Sequence, residues 1–156
     1  MAAIPTREMV VQMDAFRKRC REAGLSLTHQ REVLYRSLLE ARDHPSPEEI
    51  YDRVRRKIPA ISLATVYKNI KTFIDSGLLR ELSLHHGTLR LETNPIAHHH
   101  MVCRRCKAIV DVEDSAIGPV RLLRRPARSF RIENYSVEFH GLCQACAASS
   151  GMLKNS

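Results

Sequence analysis

The chain has 156 residues, and 44% are hydrophobic, so a real core can be buried and global disorder is not expected. No apolar run reaches the roughly 18 residues of a membrane span, and Met1 to Val11 carries no apolar secretory segment, so a cytoplasmic location is expected. The net charge of +8 favours polyanionic partners, nucleic acid or an anionic membrane surface. With aromatic residues at 5% and no Trp, duplex DNA read by a helix fits better than single strands stacked on aromatic platforms.

Residues 1 to about 77 read as helices. Val10, Met13, Phe16, Cys20 and Ala23 recur at helical spacing, and Gly24 supplies a stop. Thr28 can cap a second helix with Val33, Leu34 and Leu38 on one face. Ser46-Pro47-Glu48-Glu49 predicts a capping box, with Ser at N-cap, Pro at N1 and Glu at N3. That helix should run through Ile50 and Val54 and stop near Pro59. Ser62 can cap a fourth helix with Leu63, Val66, Ile70, Phe73 and Ile74 inward and Gly77 past its end. Joined by the short turn from Ile58 to Ile61, the last two helices form a helix-turn-helix candidate.

The outward side of the fourth helix carries Ala64, Thr65, Tyr67, Lys68 and Lys71. Hydroxyl donors can reach base edges while Lys side chains meet phosphates, so groove contact is expected there. A merely solvated face is the plainer alternative. Strand-like residues follow, Leu78 to Leu84 and Leu89 to Glu92 around His85-His86-Gly87, a hairpin of the kind that makes a wing. Asn94-Pro95 then marks a hinge, and the halves 1–93 and 94–156 each hold a net charge of +4. Beyond the hinge, Ala108 to Glu113 and Tyr135 to His140 alternate as strands do. Residues 115–125 look helical despite Gly118-Pro119, and the tail after Cys146 reads as small, polar and frayed.

Four of the five cysteines form two Cys-x-x-Cys pairs, Cys103 with Cys106 and Cys143 with Cys146. In a chain expected to remain in a reducing compartment, this pattern points to a four-thiolate zinc site rather than to disulfides. Cys20 lies on a helical apolar face and is expected in the core. His98-His99-His100 offers a second metal site, because His98 and His100 share one side of a strand. Glu92, Asp111 and His44 are further candidate ligands, the first and last from the helical half. Nitrogen and carboxylate donors suit divalent iron, manganese or zinc. Ligands drawn from both halves would let metal fix the DNA-binding half, and a dimer on a palindrome suits recognition helices that each read few base pairs.

The string Ile61-Ser62-Leu63-Ala64-Thr65-Val66-Tyr67, the His44-Pro45 pair, the run from His98 to Cys106 and the final Cys143-x-x-Cys146 together resemble the ferric uptake regulator (Fur) family over about Leu25 to Cys146. The resemblance implies an α+β chain. An N-terminal winged helix-turn-helix DNA-binding domain, residues 1–93, would precede a small α/β dimerisation domain, residues 94–156. It implies a homodimeric, metal-dependent transcriptional repressor rather than an enzyme, acting on a palindromic operator in double-stranded DNA. It also implies one structural zinc per subunit on Cys103, Cys106, Cys143 and Cys146, and regulatory Fe2+ or Mn2+ on His44, Glu92, His98, His100 and Asp111. Ser62, Ala64, Thr65, Tyr67, Lys68 and Lys71 are the expected DNA-facing set, with Tyr67 at the family's base-contacting position.

Asp111 resembles the peroxide-sensing repressor (PerR) branch, in which hydrogen peroxide is the signal and the positions matching His44 and His98 become oxidised. Glu92 stands where such sensors typically have Asp and iron-uptake regulators have Glu, so an iron- or zinc-responsive regulator is the alternative. The family's additional metal site is not expected, because Gly118 and Tyr135 occupy two of its ligand positions beside His99. Lys107 follows the first knuckle where the family usually has Gly, which predicts a strained turn. A metallohydrolase or a zinc-stabilised adaptor would leave the recognition helix unexplained, and neither predicts duplex binding with steep salt dependence.

Overall fold

A computed structural model describes residues 6–41, 44–83, 89–94, 96–124 and 129–149. The chain divides into two compact units, Met1–Thr93 and Asn94–Ser156.

The first unit contains α1 (Thr6–Glu22), α2 (His29–Glu40), α3 (Pro47–Val54) and α4 (Leu63–Asp75), followed by the antiparallel pair β1 (Arg80–Ser83) and β2 (Leu89–Glu92). Each predicted cap is made. Thr28 accepts from the Arg31 N–H, Ser62 accepts from the Thr65 N–H, and Ser46 and Glu49 exchange both bonds of the capping box. These bonds satisfy donors that a helix start leaves orphaned. Gly77 takes φ +69 after α4, the left-handed conformation that ends a helix at low steric cost.

The helices close on Phe16, Tyr35 and Phe73. The first two rings stack with centroids 4.1 Å apart, and Phe73 meets them edge-on at 5.5 and 5.7 Å. Met13, Cys20, Leu34, Leu38, Ile50, Val54, Val66 and Ile70 complete a contiguous core, so Cys20 is a core residue. The apolar stripes are shorter than the sequence pattern implies. Val10 and Ala23 are exposed at the ends of the α1 face, and Leu63 is exposed at the start of α4, because first and last turns overhang the packed surface. Ile74 is half-buried. Helix α3 ends at Val54, earlier than Pro59, where the N–H groups of Lys57 and Ile58 both turn back to the Val54 carbonyl. The predicted hairpin forms, with Arg80 opposite Glu92 and Ser83 opposite Leu89, although Leu78 and Leu79 pack in the core ahead of it. Its predicted tip, His85-His86-Gly87, lies outside the described residues, as does Pro95 of the expected hinge.

In the second unit a three-stranded sheet runs in the order β4-β3-β5. Strand β3 (His98–Cys103) pairs antiparallel with β4 (Ile109–Glu113) and parallel with β5 (Glu138–Gly141), and a short helix α5 (Gln144–Ser149) follows. Among the described residues, which here end at 124, the helix expected over 115–125 does not form. Only one 3-10 turn, Asp114–Ala116, forms before Gly118 adopts φ +77 and Pro119 removes a backbone donor. Residues 135–137 lie outside β5, which starts at Glu138. Helix α5 continues past Cys146 to Ser149, and the end of the tail, where fraying is expected, lies outside the described residues.

Candidate metal centres and nucleic-acid interface

The sulfur atoms of Cys103, Cys106, Cys143 and Cys146 all lie within 4.8 Å of one another, with Cys106 and Cys143 Sγ 3.7 Å apart. A tetrahedral zinc with Zn–S near ~2.3 Å places its sulfurs about 3.8 Å apart, so the donor set and its spacing fit that ion. The strand β3 delivers Cys103, the turn after it delivers Cys106, and the β5–α5 junction delivers the other pair. Two backbone bonds lock this turn: the Cys103 N–H donates to Ala108 O, and the Lys107 N–H donates to Cys103 O at 3.0 Å. Lys107 pays for this closure with φ +63, the left-handed conformation predicted for a position that favours Gly. The N–H of Cys143, then that of Cys106, draws the Cys103 thiol down to about 6. Loss of solvent, then bonds from the neighbouring thiols, pushes Cys146 up to about 12. Thiols so unequal share a small volume that a divalent cation would equalise, because zinc binds thiolates.

On the other side of β3, His98 and His100 meet Asp111 of β4. Their Nε2 atoms are 3.1 Å apart, and the Asp111 Oδ1 lies 3.6 Å from His98 and 3.8 Å from His100. The period of two and the His100–Asp111 register create this grouping. His98 Nδ1 bonds the Ile96 carbonyl at 2.7 Å, which assigns the proton to Nδ1 and leaves Nε2 as a ligand lone pair. Two imidazoles and a carboxylate at such separations fit a divalent iron, manganese or zinc ion.

His99 faces the opposite way. Its Nε2 bonds Asp114 Oδ1 at 2.9 Å, its Nδ1 accepts from the Val137 N–H at 3.1 Å, and its ring stacks on Tyr135. Tyr135 also donates to Asp114 at 3.2 Å. Protein partners therefore use both His99 nitrogens.

Within the first unit, His44 Nδ1 and Glu92 Oε2 are 3.1 Å apart. The Leu91 N–H donates to Pro45 O, and Arg90 Nη1 donates to Glu49 at 3.0 Å, so the end of β2 is tied to the start of α3. His44 has φ +49, a conformation uncommon for a non-glycine residue and not expected from the sequence.

Ser62, Ala64, Tyr67, Lys68 and Lys71 are exposed on α4, and Thr65 is half-buried. Ser62 and Thr65 hydroxyls share a 2.8 Å bond, and Lys71 pairs with Asp75 at 3.1 Å. Two supporting features escaped the sequence reading. Asn69, on the inward side of α4, is held by Arg31 Nε at 3.1 Å and itself donates to Thr65 O. A polar residue among Val66, Ile70 and Phe73 was the available signal. The Tyr67 hydroxyl donates to Glu48 Oε1 of α3. That bond raises the Tyr67 pKa and lowers that of Glu48, so the phenol keeps its proton and the carboxylate its charge. Nothing in the spacing of 48 and 67 announces the pair.

No helix among the described residues is long and apolar enough to cross a membrane. Residues 22–140 match the model of the ferric uptake regulator family. The peroxide-responsive repressor PerR of Staphylococcus epidermidis is 33% identical over 126 residues, 81% of this chain and 84% of that protein. The ferric uptake regulator Fur of Helicobacter pylori superposes with a TM-score of 0.70 over 94% of this chain and 97% of that one, at 21% identity. For the Vibrio cholerae Fur the TM-score is 0.63 over 81% and 98%, at 25% identity. The winged helix-turn-helix followed by a zinc-knuckle α/β unit is thus the Fur-like fold, and the chain belongs to the ferric uptake regulator family.

Proposed function

We propose that the protein is a metal-dependent, DNA-binding transcriptional repressor that responds to hydrogen peroxide. The convergence of His98, His100 and Asp111 carries this reading, together with 33% identity to a peroxide-responsive repressor. In it, residues 1–93 bind DNA and residues 94–156 bind metal and dimerise. Zinc sits on Cys103, Cys106, Cys143 and Cys146 of each subunit. His44 and Glu92 join His98, His100 and Asp111 on Fe2+ or Mn2+, so that metal fixes the DNA-binding domain in one orientation. Ser62, Ala64, Thr65, Tyr67, Lys68 and Lys71 face a palindromic operator in the bacterial cytoplasm, and no catalytic turnover is involved.

The dimer is supported by a cross-strand row on the second unit's sheet. Val110, Met101 and Phe139 are paired in register and are 58%, 50% and 44% exposed, an apolar strip suited to a second copy.

His44, Glu92, His98, His100 and Asp111 would hold ferrous iron, which would supply the reductant that cleaves the O–O bond of peroxide. The chain's own part is to hold two imidazoles within reach, with the His98 ring fixed by the Ile96 carbonyl. One peroxide oxygen added to the imidazole of His44 or His98, the other leaving as water, would weaken that ligand, release the DNA-binding domain and derepress.

Glu92 favours a second reading, a metal-level sensor of the same fold. Its carboxylate reaches one methylene further than Asp and contacts His44 at 3.1 Å. Iron-loaded protein treated with stoichiometric peroxide separates the two. One added oxygen on the peptide of His44 or His98, with loss of duplex binding, is expected by peptide mass spectrometry. Intact histidines with iron-stimulated binding would establish the metal-level sensor instead. In either case His44→Ala should reduce metal-stimulated DNA binding more than ~10-fold while zinc content stays unchanged.

A further inference from the structure

Within the first unit, the phenol of Tyr67 is 40% exposed on α4, and its hydroxyl donates to Glu48 Oε1. Glu48 is also exposed and is not needed for the cap of α3, which Ser46 and Glu49 complete. Glu49 is further engaged by Arg90. Glu48 is therefore positioned at the recognition surface with the Tyr67 proton as its principal side-chain partner, beside a weaker bond with Ser46.

A phenol has one proton to give. Once that proton is committed to a carboxylate, the hydroxyl faces outward as an acceptor. In the major groove, adenine N6 and cytosine N4 offer donors, whereas guanine O6 and N7 and thymine O4 offer only acceptors. Phosphate oxygens are acceptors too, and they are repelled by the carboxylate charge. We propose that Glu48 is a specificity-determining residue for DNA: by taking the hydroxyl proton of Tyr67, it makes that side chain read amino-bearing bases and reject phosphate and carbonyl edges. This rests on α4 being the recognition helix, as in the reading above.

The test uses full-length, Mn2+-loaded protein and selection from a duplex library randomised over ~20 base pairs, the scale of two half-sites one to two turns apart. Glu48→Ala should move the preference at one position per half-site from adenine or cytosine toward guanine or thymine, by about tenfold. Preferences at other positions should stay as in the wild type. Tyr67→Phe should erase the preference at that same position, and the double variant should match Tyr67→Phe alone. Glu48→Gln keeps an acceptor oxygen, so it should keep the preference while binding all duplexes more tightly.

An unchanged preference in Glu48→Ala overturns the proposal. So does a uniform change at every position, which would make Glu48 a plain surface charge. Equal loss of preference in Gln and Ala overturns the proton-accepting role. Circular dichroism melting confirms that each variant is folded. If Lys68→Ala and Lys71→Ala leave duplex binding intact, the recognition-helix reading itself fails. If those two weaken binding while Glu48→Ala changes nothing, that reading stands and only the role of Glu48 is lost.

Discussion

The two units are stabilised by different physics. The first encloses a contiguous core around Phe16, Tyr35 and Phe73, with capped helices packed on it. The second buries few apolar side chains among its described residues, namely Val102, Cys103 and Val112, and exposes Leu122, Leu123, Phe130 and Ile132. A three-stranded sheet with so little buried apolar surface lacks the main favourable term in folding. Its four-thiol cluster supplies a substitute, since a structural metal contributes folding free energy directly. Hydrophobic burial thus holds the first unit, while under the proposed function coordination and self-association would hold the second.

Four changes test that contrast. The largest effect is expected from Cys103→Ser or zinc chelation. Structural zinc contributes on the order of 10 kcal/mol, so the second unit should lose its fold and the dimer should dissociate. The first unit should keep its helices. Zinc content, sedimentation and proteolytic mapping read the three consequences, and full zinc with an intact dimer would refute the assignment. Acid should act in the same direction. In the metal-free protein the N–H groups of Cys143 and Cys106 draw Cys103 down to about 6 from its ordinary 9.0, so the stability its thiolate adds is complete above pH 9 and is lost as pH falls through 6. Protons also compete with zinc for all four thiolates, so acid should release zinc before the helices of the first unit melt.

Phe73→Ala should reverse the pattern. Deleting a fully buried ring costs about 3–5 kcal/mol, and it should melt the helical unit while the zinc remains bound. A melt in which both units lose structure together would show that they are not independent. The smallest effect is expected from Ser46→Ala. It removes one half of a capping box and should lower stability by ~1 kcal/mol, with no change in metal content. Denaturant titration of the far-ultraviolet signal resolves a difference of that size.

Much of the first unit was legible before the structure was known. Caps, helical stripes and Gly77 are local signals, set by backbone donors and by a period of 3.6 residues. The α4 face and the Cys-x-x-Cys pairs were legible for the same reason, as was the strained Lys107 turn. Errors fell at element ends. Val10 and Leu63 match the apolar period yet overhang the core, and α3 stops at Val54 although nothing forbids helix until Pro59. The region 115–125 has helical composition, but among its described residues Gly118 and Pro119 outweigh it.

The sequence by itself determined which residue types are present, the local caps and turns, and the donor chemistry of both candidate metal sites. It also placed His98 and His100 on one side of β3, because a strand alternates with period two. Only the tertiary structure brought the four sulfurs within 4.8 Å of one another and set Asp111 opposite His100. It alone directed His99 toward Asp114 and gave the Tyr67 proton to Glu48. The reason is one of range. Periodicity and capping act within a few residues along the chain, whereas cross-strand register and contacts between helices depend on packing that no local pattern encodes.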